Sequence, residues 1–105
     1  MVHITAKNFE SEVVKKNTPF VLDCYADWCG PCQVMKPIVH ALDAELTGKI
    51  AFGTLDVDAE NDQAMKLGIM SMPTFLTYKK GIEVGRLVGA MNREKFLARI
   101  QEIIG

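Results

Sequence analysis

Phe20-Val21-Leu22-Asp23-Cys24-Tyr25-Ala26-Asp27-Trp28-Cys29-Gly30-Pro31-Cys32 decides the reading of this chain. Its first six residues are apolar except for Asp23, the pattern of a strand covered on both faces. Two cysteines three positions apart follow directly. At a strand-to-helix junction such a Cys-x-x-Cys can open and close a disulfide.

A helix is expected next, over 29–46. Val34, Ile38, Leu42 and Leu46 recur at every fourth position, and Met35 and Val39 widen the stripe. Pro37 should kink it and Gly48 should stop it. Upstream, 2–5 reads as a short strand. Asn8 is expected to cap a helix with Phe9, Val13 and Val14 on one face, broken by Asn17-Thr18-Pro19. Downstream, 50–57 reads as a third strand and 58–67 as a short helix. Segments 74–78 and 83–88 form a hairpin across Lys79-Lys80-Gly81. Asn92 then caps a last helix with Phe96, Leu97, Ile100, Ile103 and Ile104 facing inward. The order β-α-β-α-β-α-β-β-α implies an α/β fold. Its central sheet is mixed, parallel at first, closed by an antiparallel hairpin and flanked by helices on both faces.

The 105 residues suggest one domain, 1–105, whose 49% apolar content suffices for a core without disulfide staples. The net charge of −1, with scattered lysines and arginines, points to neither nucleic acid nor an anionic membrane. Three cysteines are an odd and sparse set for a secreted scaffold. Residues 1–7 lack a basic stretch followed by an apolar core, so no export signal is expected. The expected compartment is a reducing cytoplasm, where a cysteine pair is more often catalytic or metal-binding than structural.

Cys29 at a helix N-terminus would meet unpaired N–H groups and the positive end of the macrodipole, which favour a thiolate. Cys32, one turn in, is expected to be more buried and less acidic. Cys29 is thus the expected attacking thiol and Cys32 the resolving one. Pro31 suits the first turn, where its missing N–H needs no partner. A zinc site is the competing reading, but it needs a second ligand pair. Cys24 stands alone and His3 and His40 lie 37 positions apart, so no metal is expected and both histidines read as plain surface or edge residues.

Trp28-Cys29-Gly30-Pro31-Cys32, Asp23, Met72-Pro73-Thr74 and Val88-Gly89-Ala90 together resemble the thioredoxin family over the whole chain. The resemblance implies a protein-disulfide reductase that acts on disulfide-containing proteins. A thioredoxin reductase, NADPH- or ferredoxin-linked, would recycle it, with no bound cofactor and the protein a monomer. It implies that Asp23, a costly charge in a buried strand, shuttles the proton of Cys32. It implies a cis peptide before Pro73 and substrate pairing along the Met72 backbone. Trp28, Gly30, Pro31, Val57, Ser71, Met72, Pro73, Val88, Gly89 and Ala90 would form a shallow apolar substrate surface, to which Met70 adds an adaptable side chain.

Two positions depart from the family pattern. Thr54 stands where a lysine often neighbours the buried Asp, so Asp23 should protonate more easily. Gln33 replaces a frequent Lys or Arg, which should slightly weaken the Cys29 thiolate. Cys24, beside Asp23 but on the opposite face, is expected to pack as a small hydrophobe. Gly89 is expected to allow close backbone approach. Gly30-Pro31 argues against a glutaredoxin, and the absence of a His between the cysteines argues against a disulfide-forming oxidase or isomerase. A non-enzymatic adaptor on the same fold would need neither both cysteines nor Asp23.

Overall fold

A computed structural model describes residues 1–105. The strands are β1 (Val2–His3), β2 (Phe20–Tyr25), β3 (Ala51–Asp56), β4 (Thr74–Lys79) and β5 (Ile82–Val88). The helices are α1 (Gly30–Glu45), α2 (Asn61–Lys66) and α3 (Arg93–Ile104), and a π-helical turn covers Glu10–Val14. The five strands form one sheet in the order β1-β3-β2-β4-β5. β1, β3 and β2 are parallel, β4 runs antiparallel to β2, and β5 runs antiparallel to β4.

β2 is the central strand, which is why its sequence is almost wholly apolar. Alternation sends its residues to opposite faces. Phe20, Leu22 and Cys24 join a core with Val13, Leu55, Ala64 and Leu76. Val21 joins Met35, Val39 and Leu42 of α1 and Phe96, Ile100 and Ile104 of α3 on the other face. Asp23 shares that second face, beneath α1. Gly53 lets β3 come close: a Cβ there would lie 2.6 Å from the Phe20 ring and 3.1 Å from the Val2 carbonyl oxygen. That close approach seats β1, with His3, against β3.

Three expectations change. Asn8 does not cap a helix. Its side chain accepts from the Thr5 N–H (2.7 Å) and donates to the His3 carbonyl (2.8 Å), so its short amide is spent on a local clamp of β1. The helix is only the π-helical turn, whose N-cap residue Phe9 makes no side-chain cap bond. The buried stripe of α1 is Cys32, Met35, Val39 and Leu42, and Val34 is 59% exposed. A row taken at every fourth residue drifts by about 40° per step around a helix with 3.6 residues per turn. The row that ends inward at Leu42 therefore begins outside. Finally, α2 starts later than position 58, because Asp56 Oδ1 accepts from the N–H groups of Asp58 and Ala59 and holds that stretch as a turn.

Candidate active site

The end of β2 delivers the chain through Ala26 and Asp27 to Cys29, the N-cap of α1, with φ −87° and ψ 112°. Pro31 lies in the first turn, where no N–H is required. Cys29 and Cys32 are joined as a disulfide, with Cα atoms 5.3 Å apart. The Cys32 N–H donates to Cys29 Sγ at 3.2 Å, so the sulfur occupies the cap position that attracts negative charge. The two cysteines are equally covered, each 5% exposed, contrary to the expected difference. Surroundings separate them instead. Cys29 Sγ lies 3.6 Å from the Met72 carbonyl oxygen, whereas Cys32 lines a cavity with Asp23.

Met72-Pro73 is a cis peptide, and Pro73 accepts from the Gly89 N–H at 2.9 Å. Gly89 has φ +93° and nothing within 4 Å of where a Cβ would lie. Its need for glycine is thus conformational rather than the close approach expected. Arg86 of β5 steadies the same loop from below, donating to the carbonyls of Leu67 (3.1 Å) and Gly68 (3.4 Å) at the end of α2.

Of the residues expected around the cysteines, Trp28 (70%), Val88 (56%), Gly30, Pro31, Ser71 and Ala90 are exposed and Met72 and Gly89 are half-buried. Met70 is 95% exposed. Pro73 and Val57 are buried. Val57 is a core residue of the Cys24 face, its N–H bonded to the Tyr25 carbonyl, so it offers little surface. Trp28 is held by its indole N–H on Asp58 Oδ2 at 2.9 Å, a partner 30 residues away that no local pattern marks. Gln33 turns back to the Asp27 carbonyl at 3.3 Å.

Asp23 is 6% exposed and its Oδ1 has no hydrogen-bond partner. Burial pushes its carboxyl up to about 7. Thr54 is its register partner on β3, but the Thr54 hydroxyl bonds His3 Nδ1 at 2.7 Å rather than Asp23. A cavity of about 110 Å³ is lined by Asp23, Cys32, His3 and Thr54, with Tyr25, Asp27, Gln33, Lys36 and His40 among the rest. His3 and His40, both exposed as expected, also line this cavity. Cys24, fully buried on the opposite face, is a free thiol that burial pushes up to about 12, which leaves it inert. No group of three or more His, Cys, Asp or Glu is arranged to hold a metal.

A redox cysteine pair at a helix N-terminus, facing a cis-proline loop, defines a thiol–disulfide oxidoreductase. The thioredoxin family model matches residues 1–102. Thioredoxin C-2 of Corynebacterium nephridii is 36% identical over 104 residues, 99% of this chain and 96% of that protein. The thioredoxin of Chlorobaculum thiosulfatiphilum is 36% identical over 101 residues, covering 96% and 94%. That of Mycobacterium tuberculosis is 29% identical over 103 residues, covering 98% and 89%. The chain belongs to the thioredoxin family. It performs dithiol–disulfide exchange through the Cys29–Cys32 pair, and the family acts on disulfide substrates and is restored by a reductase.

Proposed function

We propose that residues 1–105 work as one monomeric protein-disulfide reductase domain in the cytoplasm, with Cys29 as nucleophile, Cys32 as resolving thiol and Asp23 as the base for Cys32. A thioredoxin reductase, NADPH- or ferredoxin-linked, returns the disulfide to the dithiol. The observation that carries the assignment is the position of Cys29 as helix N-cap, its sulfur receiving a backbone N–H beside the Met72 carbonyl. The compartment rests on the odd, sparse set of three cysteines, which suits a reducing environment. No helix is long and apolar enough to cross a membrane.

The Cys29 thiolate attacks one sulfur of a target disulfide. That bond breaks, the other target sulfur leaves and takes a proton, and a mixed disulfide forms. The Cys32 thiol gives its proton to the Asp23 carboxylate. The Cys32 thiolate then attacks Cys29 Sγ, the second target thiol leaves, and Cys29–Cys32 is oxidised by the two electrons passed on. Trp28, Gly30, Pro31, Ser71, Met72, Val88 and Ala90 form the docking face, with Pro73 and Gly89 shaping it. The Met72 backbone pairs with an extended target segment.

Reduction of insulin disulfides with NADPH and a thioredoxin reductase tests this reading. The intact protein turns over and Cys32→Ser does not. An intact protein without turnover overturns it and favours the adaptor.

A further inference from the structure

Asp23 must return each proton it takes from Cys32, yet it is 94% buried by the complement of its 6% exposure, and its Oδ1 has no partner. No hydrogen bond leads away from it, but one bonded pair stands beside it. Thr54 stands directly beside it in the β2–β3 register, and its hydroxyl is bonded at 2.7 Å to His3 Nδ1. His3 is itself fixed: its backbone is registered on Thr54 and its carbonyl is held by the Asn8 amide at 2.8 Å. Asp23, Cys32, Thr54 and His3 line the same cavity of about 110 Å³. A space of this size holds several waters. His3 is exposed, so the line runs from the buried carboxyl to solvent.

We propose that Thr54 and His3 relay protons between Asp23 and solvent, making His3 a positioning and exchange residue for the resolving step. The relay rests on the assignment of Asp23 as base for Cys32. Neutral Asp23 gives its proton, through cavity water, to the Thr54 oxygen as the Thr54 hydroxyl passes its own to His3 Nδ1. The imidazolium releases its Nε2 proton to solvent, proton exchange with water returns the ring to its Nε2–H tautomer as the Thr54 hydroxyl turns back towards Nδ1, and the carboxylate is ready for the next Cys32. Every proton taken from Cys32 thus leaves at His3, and no electrons move. Histidine suits the outer station because its two ring nitrogens let it accept a proton on one side and donate one on the other.

The other charged and titratable groups around Asp23 are Tyr25 and Asp27 from β2 and the loop after it, and Lys36 and His40 from α1. The α-amino group of Met1 lies 3.9 Å from Asp43. None of these is hydrogen-bonded to the Asp23–Thr54 pair. His40 is the alternative imidazole, but it makes no side-chain hydrogen bond that would aim it.

The test is the rate of release of the target from the mixed disulfide, followed by stopped flow from pH 5.5 to 8.5 in dilute buffer. His3→Gln and Thr54→Val are expected to slow it by about tenfold, short of the ~100-fold expected of the group that takes the proton from Cys32 directly. Thr54→Ser keeps the hydroxyl and the rate. Added imidazole restores His3→Gln, a rescue that a merely structural role for His3 would not show. Wild-type rates in His3→Gln and Thr54→Val while Asp23→Asn remains slow overturn the relay alone, leaving cavity water as the path. A slow His40→Gln with normal His3→Gln overturns it equally. A wild-type rate and pH profile in Asp23→Asn overturns the base assignment and the relay together.

Discussion

Asp23 carries a cost that sets the pH dependence of stability. Its carboxyl is held at about 7 against an ordinary 3.8. Between these values the folded chain keeps a proton that the unfolded chain has lost, so stability falls as pH rises from about 4 to 7. At ~1.4 kcal/mol per pKa unit the loss totals about 4 kcal/mol by pH 8. Asp23→Asn removes the titration. Denaturant unfolding should find it more stable than the parent at pH 8 by up to that amount and equal near pH 4. Thr54→Lys should lower the Asp23 titration, read by the carboxyl carbon shift in NMR, since an ammonium in the register position favours the carboxylate. Asp23 was legible in the sequence because one charge in a buried strand is costly. His3 was not, because its partner lies 51 residues away and only the parallel register of β1 on β3 brings them together.

At the scale of elements, the turn and cap signals that use one residue's backbone chemistry translated directly into structure. Asn92 Oδ1 accepts from the Lys95 N–H at 2.9 Å, and Asn92→Ala should cost about 1 kcal/mol in chemical denaturation. Lys80 and Gly81, with φ of 52° and 79°, make the two-residue hairpin turn between β4 and β5. A Cβ at Gly81 would run into the Val14 carbonyl, so Gly81→Ala should lower stability by at least about 2 kcal/mol. What failed were signals whose meaning depends on competition. The Asn8 amide had a strand to clamp instead of a helix to cap, and Asp56 held a turn where α2 was expected to begin. Val34 belonged to a four-residue row that drifts around the helix, so it lay off the buried face of Cys32, Met35, Val39 and Leu42.

Across the whole molecule, the two cores divide the chemistry. The face beneath α1 holds Asp23 and the cavity, while the core on the opposite face buries Cys24 as a free thiol. The proposed docking surface lies at one end, where α1 begins and the Met72-Pro73 and Gly89 loops meet. Because Asp23 is deprotonated only above about 7, release of target should quicken as pH rises through that value and should lose this dependence in Asp23→Asn. The ring of surface residues was readable only through the family resemblance, since no spacing links Trp28 to Val88. Val57, just past the end of β3, is 8% exposed and packs in the same core cluster as Cys29 and Cys32. The central claim is that Cys29 attacks and Cys32 resolves. Mass spectrometry of the reduced single-cysteine variants, Cys32→Ser and Cys29→Ser, mixed with a disulfide-bonded protein tests it most directly. Cys32→Ser should accumulate a mixed disulfide mapped to Cys29, and Cys29→Ser should form none. An adduct mapped to Cys32, or none in either variant while the intact protein reduces the same target, would contradict the account.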